Sequence, residues 1–356
     1  MKIELPIATD LPITSHPDVA LPMSIIMTIP NIENWLCSEF IQLYSNNIFI
    51  KYYNYGSCET YEPLETIRML CHLELGKDII DFFRNFIKNC YYSLVFCDDS
   101  QIKTMNIQRP RLHGILLFGF DDTKQEFDAY GYNGYKLAKF KVSYEDLINA
   151  YYSDFCSDFK DKSRSFDGLT ENDEIHTVDS ENNLIVLYRI KAQEYTSINI
   201  EKFKWHLLDY MESVDTIGRE RPNLALLINE NLLWGMDTYS VIQQFYRYCK
   251  ENQRFIGYAD AYCLYEHKKN MLQKIRYLDS HTDIKINDDI TNSFSELINE
   301  ATLFINHVIK YNNMVNHSNT DNAFSGILLH LETLENKELR ALNEYYEYNR
   351  FIFENI

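Results

Sequence analysis

The sequence predicts an α+β fold, with helices and an antiparallel sheet in the first half and a mainly helical second half. Three observations predict it. Between Tyr91 and Val142 the chain reads as strands separated by short polar turns. After Asn199, apolar residues recur at helical spacing almost to the end. Between these regimes, residues 153–182 are polar, acidic and rich in Ser and Asp, which marks a junction. The expected organisation is a first domain over 1–152, a junction over 153–182 and a mainly helical domain over 183–356.

Residues 1–30 carry five of the eight prolines and predict an extended leader. In NIENWLCSEFIQLYSN, the residues Trp35, Leu36, Phe40, Ile41, Leu43 and Tyr44 fall at helical spacing. They predict a buried helix beginning near Asn34 or Cys37, with Cys37 in its first turn. Ile48 to Tyr53 reads as a strand, while Pro63–Leu75 and Asp78–Lys88 read as helices broken at Gly76. Tyr91–Cys97 is a β-branched and aromatic strand. Arg111–Tyr132 is a hairpin turning at Asp121–Lys124, followed by a third strand over Lys139–Val142. Ser143 with Asp146 starts a helix to about Tyr152. Asn183–Ile190 is a further strand, with Tyr195–Ile198 as its candidate partner. Helices are expected over 200–213, 238–252, 258–276, 289–315 and 323–349.

The chain of 356 residues is long enough for two domains, and 46% hydrophobic with 24% charged residues is a globular composition. With 11 glycines and neither GxGxxG nor GxxxxGK[ST], nucleotide binding has no support. A net charge of −18 disfavours nucleic acid and anionic membranes and suits a cationic small molecule such as a polyamine. An acidic protein partner would need a local basic patch. The run Lys136–Lys141 is the candidate, although a solvated strand face is the plainer reading.

Eight cysteines form no CxxC pair, and their spacings fit neither zinc ligation nor a disulfide framework. His307 and His317 are ten residues apart, which does not place them on one helix face, and there is no HExxH. The first residues lack the basic region and apolar core of a signal peptide. No apolar run approaches the ~20 residues of a membrane span. A soluble, reduced, cytoplasmic protein without metal or bound cofactor is expected; the oligomeric state is not legible.

Chemistry points to the hairpin. His113 opens an otherwise apolar strand, which gives it no local reason to be there. Asp128 follows 15 residues later on the returning strand, where a carboxylate could orient an imidazole. The alternative is a satisfied buried histidine beside an unrelated strand-edge aspartate. Cys37 at a helix N-terminus would have its thiolate favoured by the dipole, and the alternative is a space-filling thiol. Cys58 reads as loop, Cys97 precedes two aspartates that disfavour a thiolate, and Cys71, Cys90, Cys249 and Cys263 read as packing.

A cysteine at a helix start, a histidine opening a strand and an aspartate on the next strand follow the order of papain-like cysteine enzymes. With HGILLFGFDD and FDAYGY between them, these residues resemble the double-glycine-leader (bacteriocin-processing) peptidases and, more closely, the butirosin-type acyltransferases. WGMDTYSVIQQFYRYC and YADAYCLYEHKKNMLQKIRYL resemble stretches of proteins encoded beside nonribosomal peptide clusters. Over the whole length the chain is similar to the closthioamide-type amide synthetase. The resemblance implies a papain-like N-terminal domain, with a helix carrying Cys37 on an antiparallel sheet carrying His113 and Asp128.

It also implies acyl transfer through a Cys37 acyl-enzyme to an amine acceptor, a diamine or polyamine being one candidate. The acyl group would arrive as a phosphopantetheine thioester on an acyl or peptidyl carrier protein. His113 would be the base, Asp128 its orienter, and Asn31 the oxyanion donor, with Asn34 as the alternative. Asn31 stands where the family commonly has Gln, and Glu39 lies two residues beyond the thiol. A peptidase or thioesterase on the same residues, and a non-catalytic relative that binds a biosynthetic partner, are the alternatives.

Overall fold

The computed structural model describes residues 1–45, 49–53, 61–69, 73–105, 107–134, 136–156, 185–220, 232–315 and 320–356. Cys58, Cys71, His317 and most of the acidic stretch lie outside them. The chain divides into two units, Met1–Pro30 with Gly56–Glu194, and Asn31–Tyr55 with Tyr195–Ile356.

Unit 1 is built on an antiparallel sheet whose strands are β4 (Leu64–Met69), β9 (Ile185–Ile190), β5 (Tyr92–Asp98), β6 (Leu112–Asp121), β7 (Glu126–Asn133) and β8 (Lys136–Ser143), in that spatial order. β1 (Lys2–Glu4) pairs with the far end of β6. β6 is thus paired along both edges, which suits its nearly unbroken apolar run. One face of the sheet is covered by α3 (Ile79–Lys88) and α4 (Tyr144–Tyr151), which close a core around Phe83, Ile87, Val95, Ile115, Leu117 and Phe127. α4 starts as expected, with Ser143 Oγ accepting from the Asp146 N–H at 3.0 Å.

The opposite face of the sheet is contacted by α1 (Pro17–Ile26), where the sequence predicts an extended leader. The helix survives its prolines for identifiable reasons. Pro17 sits in the first turn, where a missing N–H costs nothing. Pro22 lies inside and leaves the Asp18 carbonyl without its helical donor, and the Tyr61 hydroxyl donates to that oxygen at 2.5 Å. A second difference is β4, read from the sequence as a helix. Edge pairing with β9 prevails over helical propensity there, with Glu65 opposite Arg189 and paired to it.

Unit 2 contains the short α2 (Glu33–Leu36), a three-stranded sheet ordered β10 (Leu233–Trp234), β2 (Leu43–Ser45), β3 (Ile50–Tyr52), and a set of helices. These are α5 (Ile200–Met211), α6 (Thr216–Glu220), α7 (Thr238–Glu251), α8 (Tyr258–His281), α9 (Asp288–Met314), α10 (Asp321–Tyr348) and α11 (Arg350–Glu354). The five helices expected after Asn199 are all present. The strand Asn183–Ile190 was expected in the helical half; as β9 it belongs to unit 1, between β4 and β5. Residues 195–198 form no strand. Helices α9 and α10 approach closely at Gly326, where a Cβ would run into the His307 ring. No helix among the described residues is long and apolar enough to cross a membrane.

The interior of unit 2 holds a charged network. Lys268 Nζ lies 2.6 Å from Glu338 Oε2, and both side chains are 1% exposed. The Tyr239 and Tyr210 hydroxyls donate to the same oxygen at 2.7 and 3.1 Å. His267 donates from Nε2 to the Ile41 carbonyl at 2.7 Å and accepts from Lys268 at Nδ1, the arrangement of a neutral ring. Burial and the Lys268 ammonium hold the imidazole below its usual range. Burial alone would raise the Glu338 carboxyl, but the Lys268 ammonium outweighs it and holds it down at about 2.

Removing Lys268 leaves the buried Glu338 carboxylate with two tyrosine hydroxyls and the His267 ring, 3.5 Å away, in place of a full ammonium. Lys268→Met should therefore lower the unfolding free energy by about 3–5 kcal/mol. Lys268→Met with Glu338→Leu removes both charges and should be the more stable variant. Urea denaturation at neutral pH checks the order; a double variant less stable than the single one would mean that the pair itself holds the bundle together.

Candidate active-site residues

Cys37 and Asn31 belong to unit 2, and His113 and Asp128 to unit 1. Cys37 does not lie in the first turn of a helix. It caps the C-terminal end of the four-residue α2, with its N–H donating to the Glu33 carbonyl at 2.9 Å. That end of a helix carries the negative dipole charge, which disfavours a thiolate. The side chain is 2% exposed, and its Sγ donates to the Lys274 carbonyl at 3.8 Å. Burial pushes the thiol up to about 11, against the pull of the Lys274 ammonium. Burial in turn brings Lys274 down to about 8, while its Nζ donates to the Leu36 carbonyl at 2.6 Å.

Asn31 is exposed and adopts a left-handed backbone, φ 57°. Asn34 is held at both ends, donating to the Tyr195 carbonyl at 2.7 Å and accepting from the Tyr277 hydroxyl at 2.8 Å. Glu39 is buried and ion-paired with Lys202; it is burial, not Glu39, that raises the Cys37 thiol. Beside Lys202 a cavity of about 240 Å³ is lined by Trp205, His206, Arg219 and Glu220.

In unit 1 the register separates Asp128 from His113. The turn pairs Asp121 with Glu126, so Asp128 comes level with Gly119. Continuing the Ile115–Gly131 pairing by two residues puts His113 level with Asn133 instead. Asp128 is thus six residues along the strand from His113, a span of ~20 Å. Its carboxylate is ion-paired with Lys141, inside the expected basic run, and sits beside Gly119, where a Cβ would come within 3.0 Å of Oδ2. Asp128 is therefore not the orienter of this histidine; an antiparallel register pairs residues equidistant from the turn, and these two are not.

The carboxylate beside His113 is Asp99. Its Oδ2 lies 3.8 Å from His113 Nδ1, and it accepts from Arg111 Nε at 2.7 Å. Asp99 is fully buried. Burial raises it to about 6 against the opposing pull of Arg111. His113 is 20% exposed, and its ring meets Tyr132 edge-on at 5.9 Å. Burial, helped by the Arg111 guanidinium, brings the imidazole down to about 4. Cys97 stands opposite His113 in the register, with its thiol raised by burial and then by Cys156, Asp99 and Asp98.

The sequence reading passed over Asp99, although one signal was available. Alternate residues Cys97 and Asp99 on one strand face Arg111 and His113 on the next once β5 is laid antiparallel to β6. Among the other cysteines, Cys249 and Cys263 are buried as expected, whereas Cys90 is exposed. Among the described residues no group of three or more His, Cys, Asp or Glu is placed to hold a metal ion. The chain matches no protein-family model, and no curated protein matches its sequence.

His113 and Asp99 act oppositely on stability. A histidine depressed from 6.5 to about 4 contributes stability that is complete above 6.5 and lost as the pH falls toward 4. An aspartic acid raised from 3.8 to about 6 gains stability over much of the same window as the pH falls. The two nearly cancel in the native chain. His113→Gln removes one of them, so relative to wild type it should gain roughly 2–3 kcal/mol between neutral pH and pH 4. Denaturant titrations at the two pH values check this; an equal difference at both would show that His113 titrates normally.

Proposed function

We propose that the chain is a cysteine-dependent acyltransferase of the papain-like type, acting in the cytoplasm. It moves an acyl group from a carrier-protein thioester through Cys37 to an amine. The observation that carries this reading is the histidine of β6 with a buried carboxylate beside its Nδ1, the arrangement a base needs to hold one tautomer. The sequence resemblance supplies the reaction class. In the first step the Cys37 sulfur attacks the thioester carbonyl, the thiol proton passes to a base, the role the sequence resemblance implies for His113, and the carrier's pantetheine thiol leaves with that proton. In the second, the amine attacks the acyl-cysteine, gives its proton to the same base, and Cys37 leaves as the thiol. Lys274 stabilises the transient thiolate, and Asn31 is the oxyanion donor.

A second reading is favoured by one specific observation: the resting Cys37 is buried, hydrogen-bonded and held protonated. That suits a relative that has kept the fold and binds a carrier or biosynthetic partner without chemistry.

Intact-protein mass spectrometry after brief exposure to acyl thioesters, with and without diamines, separates the two. The transferase should form an adduct that is absent from Cys37→Ala, slowed at least about a hundredfold in His113→Ala, and discharged faster by amine than by water. Its formation should quicken from neutral into alkaline pH, because His113 is already neutral there and the thiol is the group that must lose a proton. Discharge by water alone indicates a hydrolase. No adduct from a carrier-bound donor leaves the binding protein.

A further inference from the structure

We propose that Asp99, clamped by Arg111, fixes His113 in the Nδ1–H tautomer and leaves Nε2 as the basic nitrogen. The catalytic consequence rests on the acyl-transfer reading, whereas the tautomer itself does not.

The Asp99 N–H donates to the Arg111 carbonyl at 3.3 Å, so the β5–β6 pairing runs one position past Asp98. Cys97, Asp99, Arg111 and His113 therefore share one sheet face, and Asp99 is the diagonal neighbour of His113. Arg111 holds the aspartate with Nε and reaches across to the Tyr132 carbonyl with Nη2 at 3.4 Å, which ties the clamp to β7. Asp98, the nearest like charge, is turned away to accept from the Ser100 N–H and hydroxyl.

Two buried atoms in this cluster have no hydrogen-bond partner among the described residues: Asp99 Oδ1 and His113 Nδ1. The carboxylate oxygen that faces Nδ1 is Oδ2, which already accepts from Arg111 and has a lone pair left for a second donor if the proton is on Nδ1. A proton on Nε2 would instead turn a buried lone pair toward a carboxylate and leave Nδ1 unsatisfied, the costly outcome. The present 3.8 Å is wider than a hydrogen bond, and such contacts commonly tighten when substrate binds. Asp128, level with Gly119 and paired with Lys141, has no part in this.

The test uses the full chain labelled with ¹⁵N-histidine, and long-range ¹H–¹⁵N correlation spectra at neutral pH. The His113 signals are identified by their loss in His113→Gln. Wild type should show an unprotonated Nε2 and a protonated Nδ1. In Asp99→Asn, Arg111 draws the amide oxygen, so the amide N–H groups face the ring and the population should shift toward Nε2–H by at least about tenfold. Asp128→Asn should leave the signals where they are. A wild-type ring protonated at Nε2, or signals that respond to Asp128 and not to Asp99, overturns the proposal.

If Asp99→Asn does not fold, Arg111→Gln is read in its place. The tautomer should persist and the His113 midpoint should rise once the neighbouring cation is gone; a midpoint that stays or falls counts against the clamp. These readouts need no substrate, so an inactive protein with the expected tautomer refutes the transferase and spares this assignment. In an active enzyme, Asp99→Asn should lower kcat at least tenfold with KM unchanged, as for loss of a group that orients another.

Discussion

The strand pairing of β6 is the constraint on which unit 1 depends. An apolar strand of ten residues must have both its edges hydrogen-bonded and both its faces covered. β5 and β1 share one edge, β7 takes the other, and helices lie on each face. The turn at 122–125 pairs Asp121 with Glu126 and sets the β7 neighbours as far as Gly119, and the pairing of Cys97 with His113 sets those on β5. Beside the register shift between Leu117 and Gly119, β1 lies so close that Gly119 can carry no side chain, since a Cβ would meet the Ile3 carbonyl at 2.7 Å. The surroundings of His113 follow from this pairing.

Unit 2 solves a different problem. It carries charged residues into the interior, mostly on helices, and each must find a partner within hydrogen-bond reach. Glu338 collects a lysine and two tyrosines, Glu39 takes Lys202, and His330 takes Glu300 at 2.6 Å. Such pairs add little net stability compared with apolar packing, yet they penalise any register that separates them. They therefore specify which helix lies against which.

The candidate residues were partly legible. His113 stands out because an imidazole in an apolar strand is costly unless something uses it, and the structure gives it a carboxylate. The identity of that carboxylate was misread, because nearness in sequence across a hairpin does not equal nearness in register. Cys37 was legible as a residue but not as an environment. Helical spacing over residues 35–44 promised a long helix, whereas the chain makes four helical residues and then enters β2. The apolar residues there are buried by β-pairing and aromatic contacts such as Trp35 with Phe40.

By itself the sequence determined the α+β class, the hairpin and its turn, α3, α4 and the helices after Asn199. Each of these rests on local periodicity, caps or turn residues, which act over a few positions. Only the tertiary structure decided that Pro17–Ile26 is a helix, that Leu64–Met69 is a strand, that Ile185–Ile190 joins unit 1, and that Asp99 rather than Asp128 stands beside His113. The physical reason is common to all four. A hydroxyl replacing a missing N–H, an edge seeking a ladder, a strand inserted between distant strands and a diagonal pair across a register are long-range interactions. They outweigh local preference once the chain is compact, and no window of a few residues contains both partners.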